Sequence, residues 1–147
     1  MKEVLIYVSV YKTQKEFNKH WGLKCCGVSM HRKTTSDKKN HIYLFKNDKQ
    51  QATLKHEIMH ILFNEFNLMQ KIPKDELIKI NKIKKKVFEK MNIETETKNK
   101  SEEFLVLLFD VNKQNIIKEK LPITFKLIKQ MKKRYKVITK QRTRTTF

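Results

Sequence analysis

Glycine and proline are scarce in this chain, two of each in 147 residues. So few turn-formers exclude a loop-rich or disordered chain and an all-β one. Cysteine is as rare: Cys25 and Cys26 are the only two and, being adjacent, cannot pair with each other in an ordinary disulfide. There is no disulfide framework and no C-x-x-C metal spacing, so a pair of buried or half-buried free thiols is expected. No apolar run approaches the ~18 residues that cross a bilayer. The longest, Phe104-Leu105-Val106-Leu107-Leu108-Phe109, lies deep in the chain. No export signal precedes the first strand-like run, so a cytoplasmic protein without membrane contact is expected. Acidic residues are short as well, 15 against 34 Lys and Arg, for a net charge of +19. Arginine occurs only at Arg32, Arg134, Arg142 and Arg144, so the excess is lysine. Solvated lysine-rich helix faces account for such a bias without a nucleic-acid partner, and the charge alone does not decide function.

Histidine occurs five times, and two of the five stand in His56-Glu57-Ile58-Met59-His60. Residues four apart project from one face of a helix, so His56 and His60 can grip one metal ion. Glu57 falls at the edge of that face, where a carboxylate can reach a water on the metal. This H-E-x-x-H spacing is the zinc metallopeptidase signature, and chance would place it roughly 0.02 times in such a chain. Glu57 is the candidate catalytic residue, His56 and His60 the candidate ligands, and Zn2+ the cofactor they imply.

The length fits one domain with a single core. Residues 4–10 read as a buried strand, and Thr13 to Glu16 as a capping box opening a short helix that ends near Gly22. Residues 26–31 and 41–45, separated by a polar turn, read as a hairpin, which makes a sheet of about three strands. Asp48 and Gln51 pattern as a cap for a largely buried helix over 49–68. Leu77, Ile80, Ile83, Val87 and Met91 recur at helical spacing after Pro73, and 92–100 is polar and loop-like. Ser101 is expected to cap a helix from Glu102 to about residue 115. Pro122 opens a last helix with Ile123, Leu127, Met131, Tyr135 and Ile138 inward. The expected fold class is α+β: a small, mainly antiparallel N-terminal sheet on a helical body, with the H-E-x-x-H helix at its centre. One domain is expected over 1–138, with 139–147 a flexible basic tail.

A catalytic zinc takes three protein ligands and a water, so two histidines are not enough. No histidine or cysteine follows His60, and Phe63 and Phe66 stand where the longer metzincin signature needs Gly and His. A downstream third ligand must then be a carboxylate, the gluzincin arrangement. Glu102 and Glu103 are the strongest candidates, although acidic residues also favour a helix N-terminus for its dipole alone. Glu94, Glu96 and Glu65 are weaker, and His20, His31 and His41 precede the motif. Asp110 is a candidate to orient a ligand histidine, with a buried structural role as the alternative. Tyr43 and His31 are candidates to touch substrate, and the strand around 41–45 to hold an extended peptide.

The residues Ile42-Tyr43-Leu44-Phe45, the run Gln51 to His60, and Ser101-Glu102-Glu103-Phe104-Leu105 resemble the small ImmA/IrrE-type gluzincins and similar phage-encoded metallopeptidase-like proteins. The likeness spans roughly residues 20–115, and only H-E-x-x-H in it is sharply specific. It implies a minimal zincin fold with Glu102 as third ligand. Leu105 stands where alanine is often found in that family, which leaves Glu103 as the alternative. The activity implied is zinc-dependent peptide hydrolysis, with a protein or peptide substrate that can be a regulatory or DNA-bound protein. A different class competes with it: a nucleic-acid-associated binding module with a structural or silent zinc, motivated by the +19 charge and by Lys140-Gln141-Arg142-Thr143-Arg144.

Overall fold

The computed structural model describes residues 1–22, 26–91, 100–110 and 113–144. Strand β1 (Lys2–Tyr11) organises the fold. Its two-residue period sends Val4, Ile6, Val8 and Val10 to one face, and all four are buried. Helix α1 (Gln14–Trp21) follows. The Thr13 hydroxyl accepts the Glu16 amide at 3.2 Å, and the helix ends at Gly22, whose φ of 100° suits glycine. Strands β2 (Gly27–Met30) and β3 (Asn40–Phe45) form the expected antiparallel hairpin, with Gly27 opposite Leu44 and Met30 opposite His41. Then come α2 (Gln50–Phe66), α3 (Leu68–Lys71), α4 (Lys74–Met91), α5 (Lys100–Asp110), α6 (Gln114–Lys120), α7 (Pro122–Arg134) and β4 (Tyr135–Arg144).

The fold is α+β, with seven helices and a four-stranded mixed sheet of order β2-β3-β1-β4 among the described residues. β1 runs parallel to both neighbours, so that Ile6 lies opposite Asn40 on β3 and Thr139 on β4. The valine and isoleucine face of β1, with Ile42 and Leu44, packs on Ile61, Phe63 and Phe66 of α2, Phe104 and Leu108 of α5, and Ile128 and Met131 of α7. The opposite face carries a smaller cluster of Tyr11, Phe17 and Phe45, with Trp21, Val28 and Tyr43 against it. Glu76, only 2% exposed, ties α4 to the start of α7 by accepting from the Ile123 and Thr124 amides at 3.0 and 2.8 Å and from the Thr124 hydroxyl at 2.8 Å. These bonds satisfy donors that a helix N-terminus leaves open, where the N-cap residue Leu121 offers no side-chain bond. No helix among the described residues is long and apolar enough to cross a membrane.

Several sequence expectations need correction. The sheet is mixed and four-stranded, not mainly antiparallel with about three strands. Its extra strand comes from 135–144, read from the sequence as a helix end and a flexible tail. α7 stops at Arg134, where Tyr135 takes extended angles. The β-branched run Val137-Ile138-Thr139 then fits a strand better than a helix. The expected domain boundary at 138 thus falls inside β4, and residues 145–147 lie outside the described set. Ile123 is exposed rather than inward, and the buried stripe of α7 is Thr124, Ile128 and Met131. Asp48 does not cap α2: Lys49 is the N-cap without a side-chain bond, and Asn47 Oδ1 accepts the Lys49 amide at 2.7 Å. Ser101 lies inside α5 and donates its hydroxyl to Asn81 Oδ1 at 3.1 Å. Cys26 is a free, exposed thiol; of the loop expected over 92–100, Lys100 opens α5 and 92–99 lie outside the described residues, as does Cys25.

Candidate metal centre

On α2 the side chains of His56 and His60 stand one turn apart, with ring centroids 4.9 Å from each other and Nε2 atoms 3.2 Å apart. The first turn of α5 faces them. It is held there by Phe104, Leu105, Val106 and Leu108, which are all buried in the core shared with α2. Glu103 sends Oε1 to His56 Nε2 at 2.8 Å and Oε2 to His60 Nε2 at 2.7 Å. Glu102 reaches the other nitrogen of the same ring, His60 Nδ1, at 2.6 Å. One imidazole therefore lies between the carboxylates of two consecutive residues.

Glu57 lies against β2. It is buried and takes a hydrogen bond from the Ser29 side chain. The close approach of β2 to α2 depends on Gly27. A Cβ there would stand 2.8 Å from Thr53 Cγ2, 3.0 Å from Leu44 Cδ2 and 3.3 Å from Glu57 Cγ. Glycine inside a strand often marks such an approach.

The electrostatics follow from burial and pairing. Burial pushes the Glu57 carboxyl above its ordinary value, against the opposing pull of His60, His56 and the Ser29 bond. Burial would lower His60, but its bonds to Glu102 and Glu103 and the charge of Glu57 raise it to about 9. Glu103 would likewise be raised by burial, yet the bonds from His56 and His60 bring it down to about 2. Three carboxylates around two imidazoles form a site that favours positive charge.

His56, His60 and Glu103 are close enough to hold a metal ion: their ligand atoms all lie within 4.8 Å of one another. Two ligand atoms at ordinary zinc distances subtend a tetrahedral angle when ~3.3 Å apart. The 3.2 Å between the two Nε2 atoms matches that spacing. Two imidazole nitrogens with one carboxylate oxygen also leave a coordination position open, as catalytic zinc sites do.

The other sequence candidates fall elsewhere. Glu103, the alternative, joins the metal-competent cluster, whereas Glu102, the resemblance's choice, bonds to the far nitrogen of His60. His31 is buried with Nε2 2.6 Å from Glu65 Oε2, and Arg32 Nη2 reaches Glu65 Oε1 at 2.9 Å. These bonds fasten the β2–β3 turn to the end of α2, so His31 does not face the histidine pair. Tyr43 lies on the other face of the sheet, its ring 4.8 Å from Trp21 and 6.0 Å from His41. His41 itself bonds Asp37 at 2.7 Å, and His20 packs against Trp21. The side chain of Asp110 and residues Glu94 and Glu96 lie outside the described set. Sequence reasoning missed Ser29 and Gly27, for which the lone glycine in a strand-like run was the available signal. No family model, curated protein or solved structure matches the chain.

Proposed function

We propose that this protein is a zinc-dependent peptide hydrolase with His56, His60 and Glu103 as metal ligands and Glu57 as general base. The observation that carries the reading is the convergence of two Nε2 atoms 3.2 Å apart on both oxygens of Glu103, on a helix bearing H-E-x-x-H. Zinc bound there would act as a Lewis acid on a substrate carbonyl and bring the pKa of water to ~7. The remaining steps belong to the chain. Glu102 accepts the Nδ1 proton of His60, which fixes the ring plane and leaves Nε2 as the nitrogen with a lone pair. Glu57, desolvated beside Gly27, takes a proton as water oxygen bonds to the carbonyl carbon. It returns that proton to the amide nitrogen as the C–N bond breaks.

The substrate strand has a natural place. β3, expected from the sequence to hold the peptide, is paired on both sides by β2 and β1 and has no free edge. β2 is the edge strand of the described sheet and runs beside α2, so an extended peptide paired to 27–30 would cross the site. The resemblance to ImmA/IrrE-type enzymes adds a substrate class, a regulatory or DNA-bound protein.

The test is zinc content by atomic emission together with peptide cleavage, in wild type and in Glu57→Gln. Wild type should carry one zinc per chain. Glu57→Gln should keep the zinc while turnover falls ~10²–10⁴-fold. A wild-type chain that takes up no zinc at neutral pH would sink the proposal. Zinc without any turnover would reduce it to a structural metal site.

A further inference from the structure

We propose that the sheet face opposite the metal centre binds single-stranded nucleic acid, with Tyr7 and His41 as stacking surfaces and Lys39, Lys140 and Arg142 as phosphate contacts. The strand register puts these residues together. One row across all four strands reads Met30, His41, Tyr7, Lys140, and the next reads Val28, Tyr43, Ser9, Arg142. By the alternation of β1 and β3, both rows look away from the core formed by Val4, Ile6, Val8, Ile42 and Leu44. α1 covers one end of this face through Phe17, which packs on Tyr11 and Phe45. Tyr7 and His41 lie outside that cover and are half-buried, and Leu5 beside them is 37% exposed.

The rings form a chain. Tyr7 and His41 centroids are 5.9 Å apart, and His41 and Tyr43 are 6.0 Å apart with planes only 17° from parallel. Lys39 Nζ and Arg142 Cζ each lie over the Tyr7 ring, 5.2 Å from its centroid, so a base that takes a face of that ring displaces a cation from it and leaves that cation beside its phosphate. Lys140 and Arg142 are exposed on the outer strand. Of the carboxylates near this face, Glu3 and Glu65 line one pocket with Tyr7 and Lys39, Glu65 is paired to Arg32 at 2.9 Å, and Asp37 is bonded to His41 at 2.7 Å.

The arrangement favours a single strand over a duplex. Bases offer their faces to aromatic rings only when unstacked, and ring steps near 6 Å exceed the ~3.4 Å step of a strand within duplex DNA. A duplex would present phosphates alone, using the cations and leaving the rings idle. A lysine-rich surface with no site would bind any polyanion, and this difference makes the proposal testable.

The experiment is fluorescence anisotropy of the full chain with a labelled dT oligonucleotide of roughly 15 nucleotides, and with a duplex of equal length. Wild type should prefer the single strand. Tyr7→Leu, which keeps the net charge, should weaken dT binding ~5–100-fold, as loss of a stacked base does. Arg142→Gln should weaken it and reduce the salt slope by ~0.7. Lys82→Gln, on the exposed side of α4, should change little. Glu57→Gln should bind like wild type, which separates this surface from the hydrolase reading. Should Tyr7→Leu fail to fold by circular dichroism, His41→Leu takes its place with the same expectation. The proposal is overturned if the ring variant and Arg142→Gln both bind within about two-fold of wild type, a change too small for a lost stacked base. It is overturned equally if the duplex binds as tightly as dT.

Discussion

Neighbouring residues on a helix point ~100° apart, which lets Glu102 and Glu103 meet the two nitrogens of one imidazole from different sides. Their roles should separate on mutation. Glu102→Gln leaves the three proposed ligands in place and should weaken zinc affinity ~10–100-fold, as loss of an orienting carboxylate does. Glu103→Ala removes a ligand and should weaken it further, and a competition titration with a chromophoric chelator reads both. The reverse order would give the ligand role back to Glu102. The histidine pair was legible in the sequence because a spacing of four is a local property of one helix. The choice between two adjacent glutamates was not, since it depends on how α5 is rotated about its axis by the burial of Phe104, Leu105 and Leu108. Glu65 supports a second residue-scale prediction. Burial would raise its carboxyl, but the bonds from Arg32 and His31 hold it below its ordinary 4.5. A group depressed in the folded state stabilises the fold above its unfolded pKa, and that contribution fades as pH falls through the folded value. Glu65→Gln should therefore unfold at lower urea than wild type near pH 7, with the gap closing as the pH falls below the ordinary carboxylate range. A gap that stays constant over that range would mean the pair contributes nothing.

At the scale of elements, the distance between β2 and α2 sets where Glu57 stands. Gly27→Ala would put a methyl 2.8 Å from Thr53 Cγ2, so either the Thr53 side chain turns or strand and helix separate. Overpacking of this kind costs ~1–3 kcal/mol. Urea denaturation should show that loss, and turnover should drop as Glu57 shifts. Zinc affinity should hold, because His56, His60 and Glu103 do not touch Gly27; a loss of zinc would mean that the whole of α2 moves. Elements were readable where one signal governed them. The Thr13 cap, Gly22 and the hairpin are of this kind, each set by a few neighbouring residues. β4 was not, since Met131, Tyr135 and Ile138 happen to continue a helical spacing from Ile123 and Leu127. Pairing with the already buried β1 decides the matter, as Val137 opposite Val4 and Thr139 opposite Ile6 show. That partner lies more than a hundred residues earlier, out of reach of any local pattern.

On the scale of the whole molecule, a chain of net charge +19 with only 15 acidic residues gathers three of them, Glu57, Glu102 and Glu103, around two histidines. Such an acidic pocket inside a basic protein can hold a cation despite the overall field, since nearby buried charges are screened less than distant surface ones. The three candidate ligands come from α2 and α5, which are well separated along the chain, so an ion there would link parts that could otherwise separate on unfolding. Binding to the folded state alone adds ~2.7 kcal/mol at a hundredfold excess over Kd. For a domain of this size that corresponds to a rise in Tm of ~5–10 °C. Differential scanning calorimetry with added zinc should show that rise in wild type, and a chelator should reverse it. Glu103→Ala should show little of it, while Glu57→Gln, with its ligands intact, should shift like wild type. A wild-type Tm that ignores zinc would mean the cluster is an ion-pair network between two helices that their shared apolar core already holds together.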